Sequence, residues 1–130
     1  MIIDTSALIA VLLNEPEGPV LAAAIVNAPD CRMSAPNFLE ASMVARARKG
    51  PAAVQDLDLL VARLGVQIVP FNEDHARWAR LGFERYGKGH HAASLNFGDC
   101  IAYGLAKETG HPLLYIGTDF GQTDVPVASY

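Results

Sequence analysis

Four carboxylates in this 130-residue chain stand where carboxylates are costly. Asp4 follows the apolar pair Ile2-Ile3 and precedes the apolar run Ala7 to Leu13. Glu40 has Pro36, Met43, Val44 and Ala47 at helical spacing around it, which puts it at the border of an apolar face. Asp99 falls in the first turn of a segment carrying Phe97, Cys100, Ile101, Ala102, Leu105 and Ala106. Asp119 follows Leu113–Ile116 within Gly117-Thr118-Asp119-Phe120. Each has an ordinary explanation: a helix cap for Asp4, an ion pair with a distant arginine for Glu40, and a favourable helix dipole for Asp99. Their joint placement says more, since two come directly after strands and two lie on core-facing helical positions. Carboxylates gathered in one place repel, and some stay protonated unless a cation joins them. An all-oxygen donor set selects hard ions, so Mg²⁺ is expected, with Mn²⁺ as its substitute. Thr5 and Ser6 add hydroxyls that either cap the helix or touch the ion's water shell. Asp124, in Thr123-Asp124-Val125, is a fifth acid that either joins this shell or bonds backbone in a turn.

The elements that must position these groups follow from periodicity and punctuation. Ile2-Ile3 reads as a short buried strand, with a helix over the apolar run after it. Asn14 to Pro19 is a turn, and Val20 to Ala28 a second helix closed by Pro29-Asp30. Cys31–Ser34 is a strand. Pro36 opens a helix at a position where its missing N–H costs nothing, and that helix runs to Lys49 before Gly50-Pro51. A helix over 51–64 carries Val54, Leu57, Leu60, Val61 and Leu64 at helical spacing. A strand over 66–70 follows, then a helix over Glu73–Tyr86 with Asn72 as its cap. Residues 87–96 read as the longest exposed loop. A helix over 98–109 stops at Gly110 and Pro112, Leu113–Ile116 is a strand, and 125–128 a final edge strand. Strands alternate with helices, and two of the strands are apolar on both faces, the pattern of a parallel sheet covered by helices. The expected fold is a three-layer α/β/α domain with a central, mainly parallel sheet, one domain over 1–130. In such sheets ligands bind beyond the carboxyl ends of the strands, where Asp4 and Asp119 are placed.

Composition sets the bounds. Half the residues are apolar, which excludes disorder. The longest apolar run is seven residues, too short to span a bilayer, and no signal-peptide pattern is visible. Cys31 and Cys100 are isolated in apolar contexts and read as reduced, buried residues of a cytoplasmic protein. The net charge of −4 looks wrong for a nucleic-acid binder. Setting the four acids aside, because a metal would offset them, leaves ten acids against ten bases.

Ile2-Ile3-Asp4-Thr5-Ser6-Ala7-Leu8, Leu39-Glu40-Ala41, Leu95-Asn96-Phe97-Gly98-Asp99-Cys100 and Gly117-Thr118-Asp119-Phe120 with Thr123-Asp124-Val125 resemble, in order and spacing, a PIN-domain ribonuclease. More narrowly, they resemble the VapC toxins of type II toxin–antitoxin systems. The resemblance covers essentially the whole chain. It implies that Asp4, Glu40, Asp99 and Asp119 are the catalytic, metal-holding acids, with Ser6 and Asn96 in the shell around them. It also implies endonucleolytic RNA cleavage to 5′-phosphate and 3′-hydroxyl ends, a homodimer, and inhibition by a cognate VapB-type antitoxin. A groove along the first helices would suit that partner. The chain departs from the family at Ile116, where relatives often carry a lysine.

Histidine is not needed as a base, because a divalent ion can activate water itself. His75, His90, His91 and His111 show no ligand spacing and read as solvated. Lys88 with His90 and His91, and Arg46 with Arg48 and Lys49, are possible RNA or antitoxin contacts. Arg77, Arg80 and Arg85 read as a solvated helix face. Two other readings use the same acids. A Mg²⁺-dependent phosphohydrolase with Asp4 as nucleophile expects a second Asp two residues on, where Ser6 stands. A receiver-like, non-catalytic metal-binding module expects a lysine near the last strands, and no lysine follows Lys107.

Overall fold

The computed structural model describes residues 1–130. Four short strands, β1 (Ile2–Ile3), β2 (Arg32–Ser34), β3 (Gln67–Val69) and β4 (Leu113–Leu114), form one sheet in the order β3-β2-β1-β4. Every pairing within it is parallel. Six helices connect them: α1 (Thr5–Leu12), α2 (Gly18–Asn27), α3 (Ala35–Lys49), α4 (Ala52–Leu64), α5 (Glu73–Tyr86) and α6 (Phe97–Thr109). A 3₁₀ turn at Phe120–Gln122 follows β4.

Strand alternation divides the core into two layers. Ile3, Met33 and Leu114 face one side and pack with Leu8, Leu21, Ile25, Leu57 and Val61 from α1, α2 and α4. Ile2 and Leu113 face the other side, against Tyr103, Leu105 and Ala106 of α6 and Ala79 of α5. Successive residues of β1 therefore feed opposite layers, as the period of two requires. Small residues let α5 and α6 approach closely: a Cβ at Gly104 would stand 2.4 Å from the His75 carbonyl oxygen. Gly65 and Gly110 end α4 and α6 in the left-handed conformation that favours glycine at this position.

Several expected bounds move, each for a visible reason. Helix α1 starts at Thr5, because Asp4 itself is the N-cap, and α2 starts at Gly18, with Pro19 in its first turn. β4 ends at Leu114 because the next-but-one N–H, that of Ile116, donates to Ser6 Oγ (3.0 Å). The expected edge strand at 125–128 reduces to one bridge between Leu113 and Val127, beside Pro126, which has no N–H for a ladder. Segment 87–96 is only partly exposed: Gly87 bridges Leu95, and Ala93 and Leu95 are fully buried. Both cysteines are buried and free. No helix is long and apolar enough to cross a membrane.

Candidate active site

The sheet order places β1 between β2 and β4, so the chain leaves the central strand at Asp4 beside the exit of β4. Asp4 is the N-cap of α1: its Oδ2 accepts from Ser6 N (2.9 Å) and Ser6 Oγ (2.6 Å). The Ser6 hydroxyl in turn accepts the Ile116 N–H, tying the end of β4 to the end of β1. Capping alone does not explain the residue, because Asp4 is only 4% exposed. Burial pushes its carboxyl above the ordinary carboxylate range, and the charge of Glu40 adds to the rise.

Glu40 reaches this point from α3, whose buried residues are Asn37, Ala41 and Ala45, while Met43 is exposed. Its Oε2 accepts from Thr5 Oγ1 at 2.6 Å. The carboxylate lies over the Cα of Gly98, where a Cβ would come within 2.6 and 2.7 Å of its two oxygens. Asp99 is the third residue of α6 and shares a reciprocal capping box with Asn96: Asn96 N donates to Asp99 Oδ2 and Asp99 N to Asn96 Oδ1, both at 2.9 Å. Asn96 therefore fixes the Asp99 rotamer. The Asp99 carboxyl is raised to about 6, chiefly by desolvation and then by the charges of Asp4, Asp119 and Glu40, against the lowering effect of the Asn96 N–H. Asp119 is exposed and leads into the 3₁₀ turn.

The field at Asp99 thus contains the other three acids, and no basic side chain forms a salt bridge with any of the four. The arginine partner that would explain Glu40 in ordinary terms is not there. The donor set is all oxygen and uncompensated, which fits a hard divalent cation. No three His, Cys, Asp or Glu side chains stand close enough to enclose an ion by themselves. Such an open arrangement suits Mg²⁺, which keeps several waters and takes few carboxylates plus substrate phosphate.

Other expected site residues go elsewhere. Asp124 does not join the four acids. Its oxygens accept from Tyr103 Oη (2.7 Å) and Lys107 Nζ (3.1 Å), with Arg85 Nη1 at 3.7 Å, so it pins the C-terminal segment to α6. Its pKa is lowered, because those hydrogen bonds and charges outweigh its desolvation. Arg46, Lys88 and His90 are exposed and form no salt bridge. His90 Nε2 lies 3.1 Å from the Glu84 carbonyl oxygen, and Arg48 pairs with Glu15 at 2.9 Å. His75 is a correction, being 5% exposed instead of solvated. It completes a capping box with Asn72 and faces Glu108 at 3.4 Å. A groove of about 340 Å³ lies on the first helix against α4, lined by Val11, Leu12, Leu59 and Leu60, and a larger apolar one lies elsewhere. It holds about 480 Å³ between α5, α6 and the start of α3, lined by Pro36, Phe71, Phe83, Phe97, Ile101 and Arg80 among others.

Sequence reasoning missed two residues, Asn37 and Gly98. Asn37 Nδ2 donates to the Gly98 carbonyl at 3.0 Å. A polar residue in the first turn of a helix three positions before Glu40 was the available signal, but nothing in the sequence names its partner.

The sequence and the fold have counterparts among known proteins. The family model described as "PIN domain" matches residues 1–126. The chain is 46% identical over 125 residues to a protein of Mycolicibacterium smegmatis named "Ribonuclease VapC", covering 96% of this chain and 97% of that one. The structure of Mycobacterium tuberculosis VapC20, described as a sarcin-ricin loop cleaving toxin, superposes with a TM-score of 0.79 at 14% identity, covering 99% and 98% of the two chains. A toxin–antitoxin complex from Klebsiella pneumoniae contains a chain similar at a TM-score of 0.75 and 19% identity, covering 99% and 97%.

Proposed function

The chain belongs to the PIN-domain family, and within it to the VapC ribonucleases; from that premise we propose that it is the Mg²⁺-dependent endoribonuclease toxin of a type II toxin–antitoxin module. The observation that carries this reading is geometric: Thr5, next to Asp4, bonds Glu40, whose carboxylate lies over Gly98 next to Asp99, and no basic side chain pairs with any of these acids. Mg²⁺, with Mn²⁺ as substitute, would be held at these four acids by few of them directly and by the others through its waters, and it would supply an activated water and neutralise charge on the scissile phosphate.

The chain's own groups do the positioning. Asn96 holds the Asp99 carboxylate in one rotamer. Ser6 holds Asp4 and the end of β4 together, and Thr5 holds Glu40. Water oxygen forms the new bond to phosphorus, the P–O3′ bond breaks, and the leaving oxygen takes a proton to give 3′-hydroxyl and 5′-phosphate ends. Exposed Arg46, Lys88 and His90 are the residues proposed to meet RNA or antitoxin.

Two competing readings lose support. A phosphohydrolase with Asp4 as nucleophile expects an acid two residues on, where Ser6 stands with its hydroxyl committed to Asp4 and to the Ile116 N–H. A receiver-like module needs a lysine at the acids, and Lys107 is paired with Asp124. The partners of the proposal are RNA, a VapB-type antitoxin and a second copy of the chain, in the cytoplasm. Exposed Leu39, Met43, Phe83 and Phe97 on α3, α5 and α6 support the homodimer. The antitoxin rests on family membership. The test of the reaction is end analysis of a cleaved RNA: fragments that ligate through a 5′-phosphate, formed in Mg²⁺ and not in EDTA, are expected. Fragments ending in 2′,3′-cyclic phosphate would contradict the reading.

A further inference from the structure

We propose that Asn37 is a positioning residue for the carboxylate site: it clamps the first turn of α6 against α3 and so sets how Glu40 and Asp99 share a divalent ion. The inference rests on the reading of the four acids as a metal site. Asn37 is 1% exposed, and its Nδ2 donates to the Gly98 carbonyl at 3.0 Å. Three residues on, Glu40 lays its carboxylate over the Cα of the same glycine. The spacing puts Asn37 and Glu40 on one face of α3. Helix α3 therefore holds Gly98 of α6 through two contacts, and that residue adjoins Asp99. Thr5 closes the arrangement from α1, its Oγ1 donating to Glu40 Oε2 (2.6 Å) and lying 3.2 Å from the Asn37 carbonyl oxygen.

Stability alone does not account for this amide. Asn37 Oδ1 is buried with no hydrogen-bond partner. An apolar side chain of the same shape would remove the unsatisfied Oδ1 acceptor, a gain set against the loss of one donor to the Gly98 carbonyl, so the amide adds little net stability. What such a side chain could not do is hold the Gly98 carbonyl at hydrogen-bond distance. The amide also lies too deep to meet RNA, so its effect must pass through Glu40 and Asp99.

The test compares the wild-type protein with Asn37→Leu and Asn37→Ala by Mn²⁺ titration, following the free-ion signal in electron paramagnetic resonance. Metal-free melting and RNA cleavage at limiting and high Mg²⁺ accompany it. Asn37→Leu is expected to keep its metal-free melting temperature within a few degrees and to bind Mn²⁺ at least tenfold more weakly. Its kcat falls at limiting Mg²⁺ and recovers at tenfold higher Mg²⁺, with KM for RNA unchanged. Wild-type Mn²⁺ affinity in Asn37→Leu overturns the proposal, and in Asn37→Ala it does so if the leucine variant does not fold. A wild-type protein that binds no Mn²⁺ removes the metal-site reading first, and this inference with it.

Discussion

Asp99 is the residue on which electrostatics and geometry meet. Its carboxyl, raised from 3.8 to about 6 by burial and then by three neighbouring acids, makes metal-free stability depend on pH. Between about pH 4 and pH 6 the native state holds a proton that the unfolded chain has released, so stability falls as pH rises through that window. Metal-free melting followed by circular dichroism is therefore expected to occur at a higher temperature at pH 5 than at pH 7. Asp99→Asn, which keeps an oxygen for the Asn96 N–H, is expected to flatten this dependence. Ser6 acts differently, through two hydrogen bonds at once. Ser6→Ala leaves the Asp4 carboxylate without one donor and the Ile116 N–H without an acceptor, and should lower stability by about 1–3 kcal/mol in chemical denaturation. The acids could be seen in the sequence because each interrupts an apolar or tightly punctuated stretch. Asp124 could not be sorted from them, since its partners Tyr103 and Lys107 lie on a helix that sequence spacing does not bring to it.

At the scale of elements, the sheet is short and the helices carry the site. Helix α5 starts and stops where Asn72 and Gly87 say it should, because capping chemistry is local. β4 stops two residues early for a non-local reason, the hydrogen bond from Ile116 to a serine 110 residues away. The burial of His75 was illegible for the same kind of reason: it depends on α6 lying against α5, and on Glu108 facing the ring. That helix contact predicts a mutational cost. Gly104→Ala would put a methyl group 2.4 Å from the His75 carbonyl and 3.1 Å from Ala79 Cβ. The helices must then separate, and a loss of about 1–3 kcal/mol is expected from thermal or urea unfolding. A wild-type stability in that variant would show that the two helices tolerate a wider spacing.

For the whole molecule, a charge of −4 and an RNA substrate are reconciled if the acids are offset by metal. Mg²⁺ that binds only the folded protein stabilises it by mass action, by about 2.7 kcal/mol at a hundred times its dissociation constant. A melting temperature that rises with Mg²⁺ in the wild-type protein and stays level in Asp99→Asn is expected. The groove between α5 and α6, with Phe97 83% exposed at its rim, is the surface proposed for the dimer. Phe97→Ser should shift sedimentation from dimer toward monomer. The most direct test of the account is cleavage of one cellular RNA pool by the antitoxin-free protein in Mg²⁺, in EDTA, and as folded Asp99→Asn in Mg²⁺. Fragments are expected only in the first condition, with the variant losing more than the roughly 10–100-fold typical of a residue that acts only through a metal's ligands. Equal cleavage in all three, or none by a folded wild-type protein, would contradict that expectation.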